Sequence, residues 1–139
     1  PYIDISQKNK LSQNKQAGAR KKPERVEGTL SCELPKTLVK KNDIHITSKR
    51  NFDCFQDTEL DMLLKRTLNV KNIIICGVNT DTCVYGTTFG ASNRGYNPIV
   101  IECCTGSMRG EDQHKTALKI MSQSIAWVMK KEEILNKLN

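Results

Sequence analysis

The sequence is poor in aromatic residues and has no long apolar run. Aromatic residues make up 5% of its 139 residues. The longest apolar stretch, Ile73 to Val78, is far shorter than the roughly 20 residues that cross a bilayer. No basic, apolar leader opens the chain, so we expect a cytoplasmic location and no membrane association. Because the chain begins with Pro1 rather than Met, we also expect it to be a piece of a longer protein.

Metal-binding cysteine motifs are missing as well. No two cysteines form a C-x-x-C pair, and no spacing of cysteine and histidine matches a zinc site. In a reducing compartment the thiols are expected to be free, and most of them to pack as small hydrophobic residues. We expect no metal and no cofactor. The cysteines are Cys32, Cys54, Cys76, Cys83, Cys103 and Cys104.

The net charge of +7 lies entirely in the first third of the chain. Residues 1–50 hold 12 basic and 5 acidic side chains, whereas residues 51–139 hold 10 of each. A basic arm of this kind is one route to nucleic-acid binding. The arm has no aromatic residue between Tyr2 and Phe52 that could stack on bases. We therefore favour a solvated loop and regard nucleic-acid binding as the weaker alternative.

Apolar periodicity and turn residues predict alternating strands and helices, which is typical of an α/β domain with a parallel sheet. The β-branched run Ile73–Cys76 suits a strand buried on both faces. Ala117, Leu118 and Met121 are expected to face inward from one helix. The expected strands are 2–6, 43–47, 73–76, 98–101 and 126–129. The expected helices are 31–39, 58–68, 81–93, 111–124 and 131–138, and residues 7–28 and 103–110 are expected to be loops.

Two reactive residue types follow strands of this predicted sheet, and ligands of open parallel sheets bind beyond the carboxyl ends of the strands. Lys49 follows strand 43–47, and Cys83 lies near the first turn of the helix that follows strand 73–76. A thiolate at a helix N-terminus is stabilised by the helix dipole and by backbone amides, and an ammonium group adds to this. The same amides can hold an oxyanion when the thiolate attacks a carbonyl group. Without further information, a packed cysteine and a solvated lysine are the commoner interpretation.

The segment Cys76–Thr87, CGVNTDTCVYGT, resembles the nucleophile segment of the isochorismatase-like cysteine hydrolases. Its continuation ASNRGYNPIV, residues 91–100, resembles the same family. Lys49 lies six residues before Phe55, which matches the family's spacing, and a Gly-Thr pair at 28–29 matches an upstream segment. The resemblance extends over about residues 27–129, in the family's order.

The resemblance implies a three-layer α/β/α sandwich on a mainly parallel sheet with Rossmann-like topology. It implies one isochorismatase-like hydrolase domain over residues 1–139, with a strand and a basic polar loop in 1–28 and the motif-bearing core in 29–139. The implied activity is hydrolysis of a C–N bond in a small amide or ureide. The implied partners are this small-molecule substrate and further copies of the chain in a homo-oligomer.

The resemblance also implies individual roles. Cys83 would attack the carbonyl carbon to form a thioester, and Lys49 would hold the thiolate. The backbone amides of Asn79 and Cys83 would form the oxyanion hole, and the peptide bond between Val78 and Asn79 would be cis. Three aromatic residues would line the substrate pocket or belong to the core: Phe52, Phe55 and Tyr85.

One member of the family's catalytic set has no clear match. The family's catalytic Asp closes its first strand, whereas the only superficial candidate, Asp4, fits the second strand better, so we expect an N-terminally incomplete sheet. A catalytically impaired or truncated relative that serves only as a structural or oligomeric subunit therefore stays open as an alternative. His114 is expected to be an ordinary helix-start residue, and Cys103 and Cys104 are expected to be packed rather than a redox pair.

Overall fold

The computed structural model describes residues 28–30 and 33–138. The chain divides into two compact units, residues 1–50 and 51–139, and each is described by itself. The expected strand 2–6 and nearly all of the expected loop 7–28 lie outside the described residues. The prediction of one domain over 1–139 stays a prediction.

The second unit contains a three-stranded parallel sheet with strand order β1-β2-β3. The strands are β1 (Asn72–Val78), β2 (Asn97–Gly106) and β3 (Trp127–Met129). The predicted order of strand, helix, strand, helix and strand is confirmed in this unit. Parallel neighbours require crossover connections, and two helices supply them.

The same unit also contains helices. Helix α1 (Leu60–Met62) continues as a π-helical segment (Leu63–Thr67), and a π-helical turn (Thr80–Val84) leads into α2 (Tyr85–Asn93). Helix α3 (Glu111–Ser124) and helix α4 (Lys131–Leu138) have the predicted bounds. The first turns of both carry acidic residues, which favour the positive end of the helix dipole. None of the helices in the described residues is both long and apolar enough to cross a membrane.

The main core lies between one face of the sheet and helices α2 and α3. Ile75 and Val100 project from neighbouring strands at the same level. They pack with Ala117, Leu118 and Met121 of α3, which confirms the predicted inward face of this helix. These residues recur at helical spacing, so one stripe of α3 becomes buried when the helix lies on the sheet.

The opposite face of the sheet is only partly covered, which corrects the expectation that strand 73–76 is buried on both faces. Ile74, Ile99 and Trp127 are register partners across the three strands and share this face. Ile74 is 46% exposed and Trp127 is 70% exposed. Helix α4 packs against β2, but the described residues leave this apolar row open.

Two expected elements of the first unit are absent from its described residues. Residues 43–47 form no strand, because the alternating pattern finds no ladder partner there and most of these residues are exposed. Residues 33–39 form a turn rather than a helix, with the Leu38 amide donating to the Pro35 carbonyl at 2.9 Å. Proline contributes no amide hydrogen and disfavours a helical conformation in the residue before it.

The boundary between β2 and the following loop also differs from expectation. Residues 103–106 belong to β2 instead of a loop, and β1 continues through Gly77 to Val78. The ladder is interrupted between Ile75 and Gly77 and resumes where Gly77 pairs with Thr105. This shift in register lets both strands continue through residues that look like a loop in the sequence.

Candidate active site

Cys83 lies in the helical turn that follows β1, at the carboxyl end of the parallel sheet. Its side chain is half-buried, and its thiol is free. The peptide bond between Val78 and Asn79, for which the resemblance implies cis geometry, is cis. The Asn79 carbonyl accepts hydrogen bonds from the Thr82 and Val84 amides, both at 3.1 Å. These bonds fold the chain back at the point where the strand becomes a helix.

Three consecutive side chains anchor this turn to neighbouring elements. Asn79 Oδ1 accepts a 3.0 Å hydrogen bond from the Met108 amide, in the loop between β2 and α3. The Thr80 side chain is fully buried, and its Oγ1 lies 2.8 Å from His114 Nδ1 in the first part of α3. Thr80 and His114 therefore join the turn to the helix that covers the sheet.

Asp81 is the third anchor and the most heavily bonded. Ser107 Oγ donates to Asp81 Oδ1 at 2.6 Å, and the Arg109 guanidinium pairs with Asp81 Oδ2. Burial alone would raise the pKa of Asp81, but the hydrogen bonds from Ser107 and Arg109 outweigh it, and the pKa lies below its usual value. Asp81 is thus an ionised carboxylate whose two oxygens are both engaged.

Lys49 belongs to the first unit and Cys83 to the second, so their predicted partnership stays a prediction. Within the first unit, Lys49 is half-buried and lines a cavity of about 810 Å³ together with Asp43 and His45. The cavity wall also contains apolar residues, among them Ile44. Asp43 and His45 are not among the candidate site residues that the sequence indicates, because they fall within a segment expected to be a strand.

The three aromatic pocket candidates have different surroundings. Phe55 is buried and stacks on Tyr96 with ring centroids 5.6 Å apart. Phe52 is exposed, and its carbonyl accepts a hydrogen bond from Thr87 at 3.3 Å. Tyr85 is half-buried and lines a cavity of about 190 Å³ together with Asp81. Their role in binding substrate stays a prediction, as does the oxyanion hole at Asn79 and Cys83.

The other cysteines are more exposed than expected. Cys76, Cys103 and Cys104 are exposed and Cys54 is partly buried, so the expectation that most thiols are packed is wrong for the described cysteines. Cys103 Sγ and Cys104 Sγ lie 4.0 Å apart as free thiols. Although Cys76 is exposed as a residue, partial desolvation of its sulfur and the neighbouring Cys104 thiol raise its pKa.

The described residues contain no group of three or more histidine, cysteine or acidic side chains that could hold a metal ion.

The structure adds Asp81, Ser107 and Arg109 to the candidate residues that the sequence indicates around Cys83. Asp81 and Arg109 are separated by 28 positions in the chain. Only the parallel register of β1 and β2 brings them together, and no local motif marks such a pair.

Comparison with known proteins identifies relatives of one kind. The Isochorismatase domain family matches residues 5–133. The uncharacterized isochorismatase family protein YecD of Escherichia coli O157:H7 is 33% identical over 97 residues, which cover 70% of this chain and 50% of that protein. The chain spans about half the length of the curated relatives it matches.

Solved structures agree with this match. An isochorismatase-like hydrolase from Alkaliphilus metalliredigens superposes with a TM-score of 0.75 at 27% identity, over 82% of this chain and 62% of the other. The nicotinamidase SaPncA from Staphylococcus aureus is 36% identical with a TM-score of 0.55, over 58% of this chain and 49% of the other. The fold is accordingly the isochorismatase-like α/β/α fold on a parallel sheet.

Proposed function

Because the chain belongs to the isochorismatase family, we propose that it is a cysteine-dependent hydrolase that cleaves a C–N bond in a small amide or ureide, with Cys83 as the nucleophile. The observation that carries the proposal is the position of Cys83. The thiol is half-buried in the first helical turn after a parallel strand, at the carboxyl end of the sheet, where ligands of open parallel sheets bind. The similarity to a nicotinamidase supports amide hydrolysis in general.

The proposed reaction has two covalent steps. The Cys83 thiolate attacks the carbonyl carbon, and the oxyanion is held by the backbone amides of Asn79 and Cys83. The C–N bond then breaks, and the amine or ammonia leaves with a proton and the bonding electron pair. Water attacks the remaining thioester, the C–S bond breaks, and a carboxylic acid and the Cys83 thiol are released.

Two further groups are needed for this reaction. Lys49 is proposed to hold the thiolate through its positive charge. A general acid and base must move the protons of the leaving amine and the attacking water. Asp81 is unsuited to this task because its ionised oxygens are both engaged by Ser107 and Arg109. Asp4, the sequence candidate, lies outside the described residues.

Selective alkylation tests the proposed nucleophile. The whole chain is treated with limiting iodoacetamide near pH 7, and the labelled peptides are mapped by mass spectrometry. We expect Cys83 to label at least tenfold faster than the other thiols, since an activated thiolate is the reactive form. The Cys83→Ser variant is the control and should lose the fast phase only. Uniform labelling of all six cysteines would contradict the proposal.

Trapping of the thioester tests the reaction itself. The chain is mixed with nicotinamide and with an N-carbamoyl amine as probes, quenched in acid, and digested. We expect ammonia or amine release, and an acyl adduct on the peptide that contains Cys83. Neither signal should appear with Cys83→Ser.

One observation favours the alternative, a relative that acts as a structural or oligomeric subunit. The apolar row of Ile74, Ile99 and Trp127 is open in the described residues, and such faces commonly mark interaction sites. An inert chain that labels uniformly and assembles in light scattering would support this alternative. An active oligomer would instead combine the hydrolase with the proposed homo-oligomer.

A further inference from the structure

The loop between β2 and α3 forms hydrogen bonds and an ion pair with two residues of the turn that carries Cys83, namely Asn79 and Asp81. Asn79 accepts from the amide of Met108, and Asp81 accepts from Ser107 and Arg109. Within the loop, the Arg109 amide donates to Ser107 Oγ at 3.1 Å, so the Ser107 hydroxyl is held from both sides. The loop is therefore fixed on the turn by side chains that flank Thr80.

The two partners of the ion pair differ in how far their side chains are buried. The Asp81 side chain is only 10% exposed, whereas that of Arg109 is 44% exposed. A carboxylate this buried needs its partners, because an ionised group without them would be costly to keep from water. Loss of Arg109 or Ser107 should therefore displace Asp81 and the turn that carries it.

We propose that Asp81 and Arg109 are positioning residues that clamp loop 107–110 onto the turn 79–83 and so hold the Asn79 amide and the Cys83 thiol in a fixed arrangement. The catalytic meaning of this arrangement rests on the proposed function. The clamp itself does not, because its bonds exist whether or not the chain hydrolyses an amide. Both residues act through the backbone of the turn, and neither is assigned a contact with substrate.

Hydrogen exchange of backbone amides, resolved to single residues, tests the clamp in the whole chain. The variants are Asp81→Asn, Arg109→Gln and their combination. We expect exchange to accelerate roughly tenfold in both segments 79–83 and 107–110 in each single variant, as loss of a charge-assisted hydrogen bond implies. The double variant should match the single variants instead of multiplying their effects, since both remove the same link.

A conservative variant and a matched control separate positioning from general loosening. Only one guanidinium nitrogen, Nη1, pairs with Asp81, so Arg109→Lys should restore most of the protection. Lys115→Gln removes an exposed ion pair with Glu111 on α3 and should leave both segments unchanged. The rate at which iodoacetamide labels Cys83 should differ from that of the unsubstituted chain in Asp81→Asn and in Arg109→Gln. In Arg109→Lys this rate should be close to that of the unsubstituted chain.

Two results would overturn the clamp. The first is faster exchange confined to residues 107–110, with the exchange of the turn 79–83 unchanged. The second is multiplicative effects in the double variant, which would mean that the two residues act separately. Uniform alkylation of the unsubstituted chain would instead contradict only the proposed function, because the exchange measurements decide the clamp on their own.

Discussion

Gly90 of helix α2 faces the carboxylate of Asp53 so closely that a Cβ at position 90 would lie 2.6 Å from Asp53 Cγ. The carboxylate cannot easily move away. Its Oδ1 accepts a 2.9 Å hydrogen bond from the Phe55 amide, and its Oδ2 pairs with Arg94 at 3.3 Å. The absence of a side chain at Gly90 thus allows the segment before α1 to dock on α2.

The first prediction compares two alanine substitutions in α2. Gly90→Ala should be less stable than Gly86→Ala by about 1–2 kcal/mol, because it displaces a bonded carboxylate. A Cβ at Gly86 would meet Phe52 Cβ at 3.4 Å, which is close to ordinary contact. Both substitutions raise helix propensity by the same amount, so the difference between the free energies of unfolding of the two variants reports the clash. Equal midpoints in urea unfolding would show that Asp53 relaxes freely.

The second prediction concerns the buried phenol of Tyr96. Its hydroxyl donates a 2.9 Å hydrogen bond to Asp61 Oδ1, and burial together with Asp61 raises the pKa of Tyr96 to about 12. A raised pKa contributes stability that is complete below the unfolded value of 10.0 and is lost as pH rises toward 12. The free energy of unfolding should therefore fall between these pH values.

Tyr96→Phe is the control for this pH dependence. The variant should lose about 1 kcal/mol near neutral pH, since the Asp61 carboxylate loses a donor. It should also show a weaker fall in stability between pH 10 and 12 than the unsubstituted chain, when both are unfolded in urea across that range. Identical slopes for the two chains would contradict the raised pKa.

The parts of the fold that the sequence predicts best are those with local periodicity. Helix α3 has its expected bounds because apolar residues at 117, 118 and 121 form one stripe and acidic residues open the first turn. The run Ile73–Cys76 correctly indicates a strand, but burial on both faces depends on which elements cover the sheet. Ile74 is exposed for that reason, and no pattern within the strand carries this information.

The site shows the same division between local and distant information. The segment around Cys83 is identifiable in the sequence because its residues are contiguous and resemble one family. The Asp81 and Arg109 pair depends on the register between β1 and β2. The extension of β2 through Cys103 and Cys104 depends on the shift in that register between Ile75 and Gly77. Cys103 and Cys104 are exposed thiols that are predicted to lie in a loop as long as the neighbouring strand is not known.

The third prediction tests the electrostatic role of Lys49. Lys49→Ala should slow iodoacetamide labelling of Cys83 roughly fivefold near pH 7, because a thiolate loses the cation proposed to hold it. Lys65→Ala is the control, since Lys65 forms its own exposed pair with Asp61. The rates are obtained by peptide mapping over time. An unchanged rate in Lys49→Ala would remove Lys49 from the mechanism.

The last prediction compares two threonines that are both fully buried. Thr80 Oγ1 lies 2.8 Å from His114 Nδ1 on another helix, whereas Thr88 Oγ1 donates at 2.7 Å to Val84 O of its own helical segment. Thr80→Val should cost about 1–2 kcal/mol because it leaves a ring nitrogen of His114 without its buried partner. Thr88→Val should cost less, since the Val84 carbonyl keeps a place in the helix ladder. Unfolding in urea measures the loss of stability in both variants. A larger loss in Thr88→Val than in Thr80→Val would mean that the link between the Cys83 turn and α3 contributes little to stability.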